Sequence, residues 1–296
     1  MTRPNVSLWR HLRRSDNFNG LSLVSPTFLY VVVMMVVPIC TIVVFSFWTQ
    51  NYLTIDRTFT LDNYREVFTD PLYSALMQRS LMVSGLVTVV TVLLAYPMAY
   101  FIAFHVQKNR MLWLFLITTP FWTSYLLRIF AWRVVLGYDG VLNSGLLSIG
   151  LIQEPLTFLL YNVNAVIITL SHAWAPFAIL PIFVSLQKID RSLLEAATDL
   201  GDGPIRRFLR ITLPLSLPGI IAASVIIFIP TIGDYVTPRL VGGNNGLMIA
   251  NIIQVQFSRA SNFPLGAALA VTAMTIVCGV ALVVVMALRL GASRIK

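Results

Sequence analysis

The sequence predicts an all-α integral membrane protein with six transmembrane helices, and three observations lead there. Of its 296 residues, 57% are hydrophobic and only 11% are charged, against roughly a quarter charged in a soluble domain. Six stretches almost free of charge, 17–55, 80–107, 111–127, 155–187, 211–233 and 260–288, approach or exceed the roughly 20 residues that cross a ~30 Å hydrocarbon core as a helix. The basic residues cluster in alternate connections, which marks the sides of a membrane and argues against a nucleic-acid surface despite the net charge of +9.

The helices are expected at Leu21 to Phe47, Ser80 to Phe104, Met111 to Leu136, Asn162 to Leu186, Leu215 to Thr237 and Pro264 to Arg289. The first run is too long for a signal-peptide core and lacks a small-residue cleavage pattern. The basic segment 1–20 is therefore expected to stay attached, with 21–296 as one membrane domain. Between the first two helices, FTLDNYREVF (59–68) reads as a short surface helix. The connections 137–161 and 238–263 fall on the same side as that helix, and the second holds the turn-rich VGGNNG (241–246). No Lys followed by Ser or Thr completes a phosphate-binding loop there, so the chain is not expected to hydrolyse nucleotide itself.

With a cytoplasmic N-terminus, fourteen of the 21 basic residues fall on the cytoplasmic side: Arg3, Arg10, Arg13, Arg14, Lys108, Arg110, Lys188, Arg191, Arg206, Arg207, Arg210, Arg289, Arg294 and Lys296. Five, Arg57, Arg65, Arg79, Arg239 and Arg259, fall opposite, which is the positive-inside pattern. Both termini and the connection 188–214 then face the cytoplasm. Cys40 and Cys278 read as small apolar packing residues inside helices. His11, His105 and His172 have no ligand spacing, so no metal or other cofactor is expected.

The connection 188–214 is the anomaly in this apolar chain, because nine of the 25 residues from Lys188 to Thr212 are charged. Such a density requires water, so the segment must project from the bilayer. Asp190 is a good N-cap for a helix from Arg191 to Leu200, and Gly201 supplies a left-handed residue to end it. Asp202 or Gly203 caps a second short helix with Pro204 in its first turn, and Pro214 closes the segment. On the first helix Leu193, Leu194, Ala197 and Leu200 share much of one face, with Arg191, Glu195, Asp199 and Asp202 offering charge. Two readings stay open on these residues alone: an amphipathic helix lying on its own bundle, and a docking element for another protein.

Glu195, Ala196, Ala197, then Gly201, then Ile211, Thr212, Leu213 and Pro214 match the EAA motif at each defining position, and on them the chain resembles the permease subunits of binding-protein-dependent ABC importers. FTLDNY (59–64), PFWTSYLLRIFAW (120–132) and PTIGDYVTPRLVGG (230–243) resemble the spermidine/putrescine branch, with coverage from about residue 20 to the end. The resemblance implies the type I importer permease fold in a bacterial inner membrane. It also implies that Glu195, Ala196, Ala197 and Gly201 form a coupling helix seated in an ATP-binding subunit, flanked by Asp199, Arg206 and Arg207. The implied partners are a second permease subunit, two copies of the ATP-binding subunit, and a periplasmic or extracellular solute-binding protein, all around a lipid-embedded pore.

A polyamine path needs carboxylates for ammonium groups and aromatic faces for the cationic chain. Asp234, with Tyr235 beside it at the end of the fifth helix, is the candidate acid. Trp122, Tyr125 and Trp174 are candidate stacking surfaces, each readable as packing or interfacial belt. Arg128 and Arg133 in the third helix are five residues apart, so about 140° apart around the axis, and cannot share one pore. Arg133 is expected to reach the interface, whereas Arg128 lies deeper and needs Asp234 or backbone carbonyls as a partner. An arginine on the path would favour a carboxylate-bearing solute, amino-acid or opine-like, over a polyamine. A secondary transporter would need ion-binding carboxylates near the midplane, and a membrane enzyme would need convergent acids, histidines or a metal motif. The sequence displays neither pattern.

Overall fold

The computed structural model describes residues 16–293 apart from 53, 107 and 160, with side chains from 23 to 287. Within the basic N-terminal segment, positions 1–15 lie outside the described residues, as do Arg294 and Lys296. Among the described residues five helices are long and apolar enough to cross a membrane, or six if a bent pair is counted as one span.

Helix α1 (Asp16–Phe45) contacts α12 (Phe263–Ser293) along the rim of the bundle. None of its most apolar window is buried. A two-stranded hairpin, β1 (Thr49–Asn51) and β2 (Thr54–Asp56), pairs Thr49 with Asp56 and Gln50 with Ile55. The surface helix expected in the next stretch is α2 (Asp62–Thr69). It is held to the end of α1 by Asn63 Nδ2, which donates to the carbonyls of Ser46 (3.0 Å) and Trp48 (2.6 Å).

Helix α3 (Pro71–Phe104) begins nine residues before the expected Ser80. The Asp70 carboxylate accepts from the Leu72 amide at 2.8 Å, and Pro71 fills the first turn, where a missing N–H costs nothing. At 34 residues it spans about 51 Å, well beyond a hydrocarbon core. Its first turns therefore lie outside the bilayer, which is why charge counting missed them.

The third span corrects the sequence reading. The expected single helix 111–136 is two: α4 (Arg110–Thr118), extended by a 3₁₀ turn (Thr119–Trp122), and α5 (Tyr125–Val135), bent 83° from each other. Pro120 cannot continue an α-helical ladder, and Thr123 and Ser124 are extended between the halves. A further short helix, α6 (Val141–Ser148), lies in the connection to α7 (Val163–Gln187).

After α7 the charged connection forms α8 (Arg191–Asp199) and α9 (Pro204–Arg207). Pro214 does not close it, contrary to expectation. A π turn (Phe208–Thr212) carries the chain into α10 (Leu213–Gly233), so that 204–233 runs as one span. Pro214 sits where the π turn passes into α10, and having no N–H it leaves a carbonyl of that turn without its helical donor. Beyond α10 a second π turn (Pro238–Gly242) leads to α11 (Ile249–Ser258) and then α12.

The core lies where α3, α7 and α10 meet, around Ile102, Leu170, Ile179, Ile182, Leu186 and Ile227, each almost fully buried. Small residues let these helices approach. A Cβ on Gly219 of α10 would stand 2.5 Å from the Pro181 carbonyl oxygen and 2.5 Å from Ser185 Cβ on α7. A second cluster at the opposite end from α8 joins α2, α3, α11 and α12 through Val67, Leu76, Ile249 and Leu269.

Candidate coupling loop and translocation surface

The loop 188–214 is built as its residues dictate. Asp190 is the N-cap of α8, accepting from the Ser192 amide at 3.0 Å, and that hydrogen bond holds its carboxyl below the usual carboxylate range. Gly201 has φ +86°, and the helix ends in a complete Schellman motif: the Asp202 amide donates to Ala197 O and the Gly201 amide to Thr198 O, both at 2.9 Å. Gly203 rather than Asp202 is the N-cap of α9. The Asp202 carboxylate instead meets Arg206 (3.8 Å) and Arg210 (3.5 Å), while Arg207 Nη1 donates to Thr198 Oγ1 at 2.7 Å.

Two short helices are thereby locked into one elbow, with an apolar edge outward. Leu200 is 88% and Ile205 77% exposed, with Leu193 and Ala196 also on the surface. Glu195 and Asp199 are exposed, whereas Ala197 is buried. Of Leu193, Leu194, Ala197 and Leu200, expected on one face, Ala197 is buried and Leu194 partly so, while Leu193 and Leu200 stay exposed. A groove of about 390 Å³ separates α8 from the end of α3, lined by Tyr100, Phe104 and His105 on one side and Leu194, Glu195, Thr198 and Asp199 on the other.

The residues assigned to a translocation path fall into separate groups. Asp234 caps the turn after α10: Oδ1 accepts from the Val236 (2.9 Å) and Thr237 (3.3 Å) amides, and Oδ2 accepts from the Tyr125 hydroxyl at 2.6 Å. The Tyr125 oxygen also lies 2.8 Å from Thr237 Oγ1. One carboxylate thus carries three internal hydrogen bonds and ties α5 to α10. Tyr235, beside it, is exposed, and its carbonyl accepts from Asn251 Nδ2 at 2.7 Å.

Arg128 has backbone carbonyls as its partners rather than Asp234. Its Nη2 donates to Phe121 O (2.7 Å) and Thr123 O (3.2 Å), and its guanidinium lies 4.7 Å from the Phe121 ring centroid. These carbonyls are the ones released at the break between α4 and α5, so the arginine closes the gap that the break opens. Arg133 turns the other way, donating to the Tyr161 hydroxyl at 3.3 Å. The Phe121 and Trp132 rings both lie 5.2 Å from that of His172, and Trp132 Nε1 donates to His172 Nδ1 at 3.1 Å. His172 is exposed on α7. Trp122 is exposed and edge-on to Phe115. Trp174 packs on Phe177 and against the central core. Phe121 and Trp132 were missed as members of this cluster, because only the bend brings them onto α7.

A helical bundle with a stiff charged elbow at one end and a polar, aromatic cluster exposed at membrane depth is the structure of a multi-pass membrane permease. The chain belongs to the family of binding-protein-dependent transport system inner membrane components, which it matches over residues 25–289. It is 39% identical over 256 residues to the spermidine/putrescine transport system permease protein PotB of Escherichia coli, covering 86% of this chain and 92% of that protein. It is 32% identical over 262 residues to the inner membrane ABC transporter permease protein YdcU of the same organism, covering 83% and 82%. In fold it resembles a chain in the crystal structure of a bacterial ABC transporter that imports alginate, at TM-score 0.70 and 20% identity over 98% of this chain and 99% of that one. A second alginate transporter structure, in complex with a pentasaccharide-bound periplasmic protein, gives 0.74 and 17% over 93% and 94%. The fold is that of a type I ABC importer permease.

Proposed function

We propose that the chain is the transmembrane subunit of an ATP-driven importer and forms half of the translocation path for a polyamine-like solute, of the spermidine or putrescine kind. The observation that carries this reading is the complete EAA elbow, Schellman turn included, in a chain 39% identical to PotB over most of its length. ATP hydrolysis belongs to two copies of a separate ATP-binding subunit. A second permease subunit completes the pore, and an external binding protein delivers the solute.

In this reading the termini and 188–214 face the cytoplasm, as the basic residues favour. The exposed face of α8 and the elbow, with Glu195, Ala196, Asp199, Arg206, Leu200 and Ile205, meets the ATP-binding subunit; Ala197, Gly201 and Arg207 hold its shape. On the path, Tyr235, Trp122 and the cluster around Arg128 are the solute-facing groups, while Asp234 and Tyr125 fix the helices that carry them and Trp174 backs them from the core.

One observation favours a second solute class. Arg128 places a cation beside the aromatic cluster, and Asp234, the acid that would offset it, is occupied by three internal donors. That charge balance suits a carboxylate-bearing amino-acid or opine-like solute. The test is ATP-dependent uptake into proteoliposomes holding the full complex, with labelled putrescine and spermidine and competing amino acids. Saturable polyamine uptake that requires the binding protein is expected. Uptake of a carboxylate-bearing solute instead would replace the polyamine and leave the importer standing.

A further inference from the structure

Few connections run from the elbow to the membrane helices. A groove of about 390 Å³ opens between α8 and the end of α3, while Ala197 on α8 is buried. The elbow itself is stiff. Its Schellman turn and the Arg207–Thr198 hydrogen bond join α8 to α9, and the exposed pairing of Asp202 with Arg206 and Arg210 adds little to that. A displacement of α8 therefore reaches the bundle at two places, α7 through Lys188–Asp190 and the residue after Arg207.

That residue is Phe208. Its ring stands edge-on to Tyr96, at 5.7 Å and 87°, and to Tyr100, at 6.2 Å and 73°. The two tyrosines lie four residues apart on one stripe of α3. Phe208 also opens the π turn, a geometry that is rarely regular structure and frequently marks a functional site. On the other side of that turn Ser216 of α10, fully buried, places Oγ 2.9 Å from the Tyr96 hydroxyl. Tyr96 is thus held from both ends of the turn, by a ring before it and a hydroxyl after it.

The geometry points to Phe208 as a positioning residue for transport: with Tyr96 and Tyr100 it forms an aromatic clasp that delivers displacement of the elbow to α3 as well as to α10. The chemistry of the contact suits the task. α7 and α10 follow the elbow through the backbone, but α3 has no covalent link to it, and without the clasp the π turn can absorb the motion on the α10 side by slipping between α-helical and π bonding. With the clasp closed, α3 and α10 move together. This assignment rests on the importer reading above.

The test uses the complete complex in proteoliposomes and reads solute taken up per ATP hydrolysed. Phe208→Ala, and the pair Tyr96→Leu with Tyr100→Leu, are expected to lower that ratio at least fivefold while ATP hydrolysis and co-purification of the ATP-binding subunit stay near wild type. Phe208→Tyr keeps a ring edge and restores the ratio. If Phe208→Ala does not assemble, Phe208→Leu keeps the apolar bulk without the ring and is expected to show the same uncoupling. A wild-type ratio in Phe208→Leu and in the tyrosine pair overturns the clasp. Absence of binding-protein-dependent uptake by the wild-type complex would instead count against the importer reading.

Discussion

Gly201 and Gly219 are glycines for opposite reasons, and substitution separates them. Gly201 has φ +86°, and the space where a β-carbon would stand is open, with nothing within 4 Å. A side chain there meets a conformational penalty of about 1 kcal/mol and no clash. Gly219 sits in a helix, and its Cβ would meet backbone and side chain of α7 at 2.5 Å. Gly219→Ala is therefore expected to lower the thermal stability of the purified complex, by roughly 1–3 kcal/mol from overpacking. Gly201→Asp and Glu195→Arg should still insert in the membrane yet abolish uptake, since both lie in the proposed coupling element. A heat-denaturation series with matched uptake assays checks all three, and normal uptake by either elbow variant contradicts the coupling role. Gly201 was legible in the sequence because a glycine after an amphipathic segment of about eight to ten residues is a stop signal. Gly219 was not, because its constraint comes from how α7 and α10 cross, and no local pattern records that. The buried side of Ala197 was missed for the same reason: an isolated helix has an apolar face, but only the packed loop decides which residue of that face is covered.

At the scale of elements, the spans with long apolar runs were read almost as they stand, and the errors sit where a backbone device interrupts or extends them. α3 begins early because a cap and a proline start it outside the bilayer. The bend between α4 and α5 is marked in the sequence by Pro120 and by the polar residues Thr118, Thr119, Thr123 and Ser124 around it, which do not break the charge-free run. Arg128 is what makes the bend tolerable, since its guanidinium satisfies two carbonyls that lipid could not. Arg128→Leu would leave both without that donor, at a cost of about 1–3 kcal/mol each. The expected result is a clear fall in the melting temperature of the complex, partly recovered in Arg128→Lys, whose ammonium can reach one carbonyl. If Arg128→Leu melts like wild type and fails only in transport, the arginine is a solute contact and not a cap. The two roles, left together by the sequence, are thus separable by one pair of measurements.

At the scale of the molecule, the question is which surface faces lipid and which faces the path. Composition does not answer it, because apolar side chains are exposed all round the bundle, including the whole of the most apolar part of α1. The polar exceptions do. His172 is exposed on an otherwise uncharged α7, beside Arg128, Phe121 and Trp132. Ionisable groups within a span are costly against lipid and turn toward a cavity or a partner. On the proposed function, the face carrying them is expected to line the pore between the two permease subunits, and α1 to face lipid. Thiol labelling tests this in the assembled complex, after Cys40→Ala and Cys278→Ala remove the two native cysteines, both exposed. His172→Cys should react with a charged, water-borne thiol reagent, and its reaction should slow when solute-loaded binding protein is present. Met34→Cys on α1, also exposed in the single chain, should stay unreactive because lipid surrounds it. Equal reactivity at the two positions, or a rate at 172 that solute and binding protein leave unchanged, would move the path to another face of the bundle, since access to water is what separates a pore wall from a lipid-covered one.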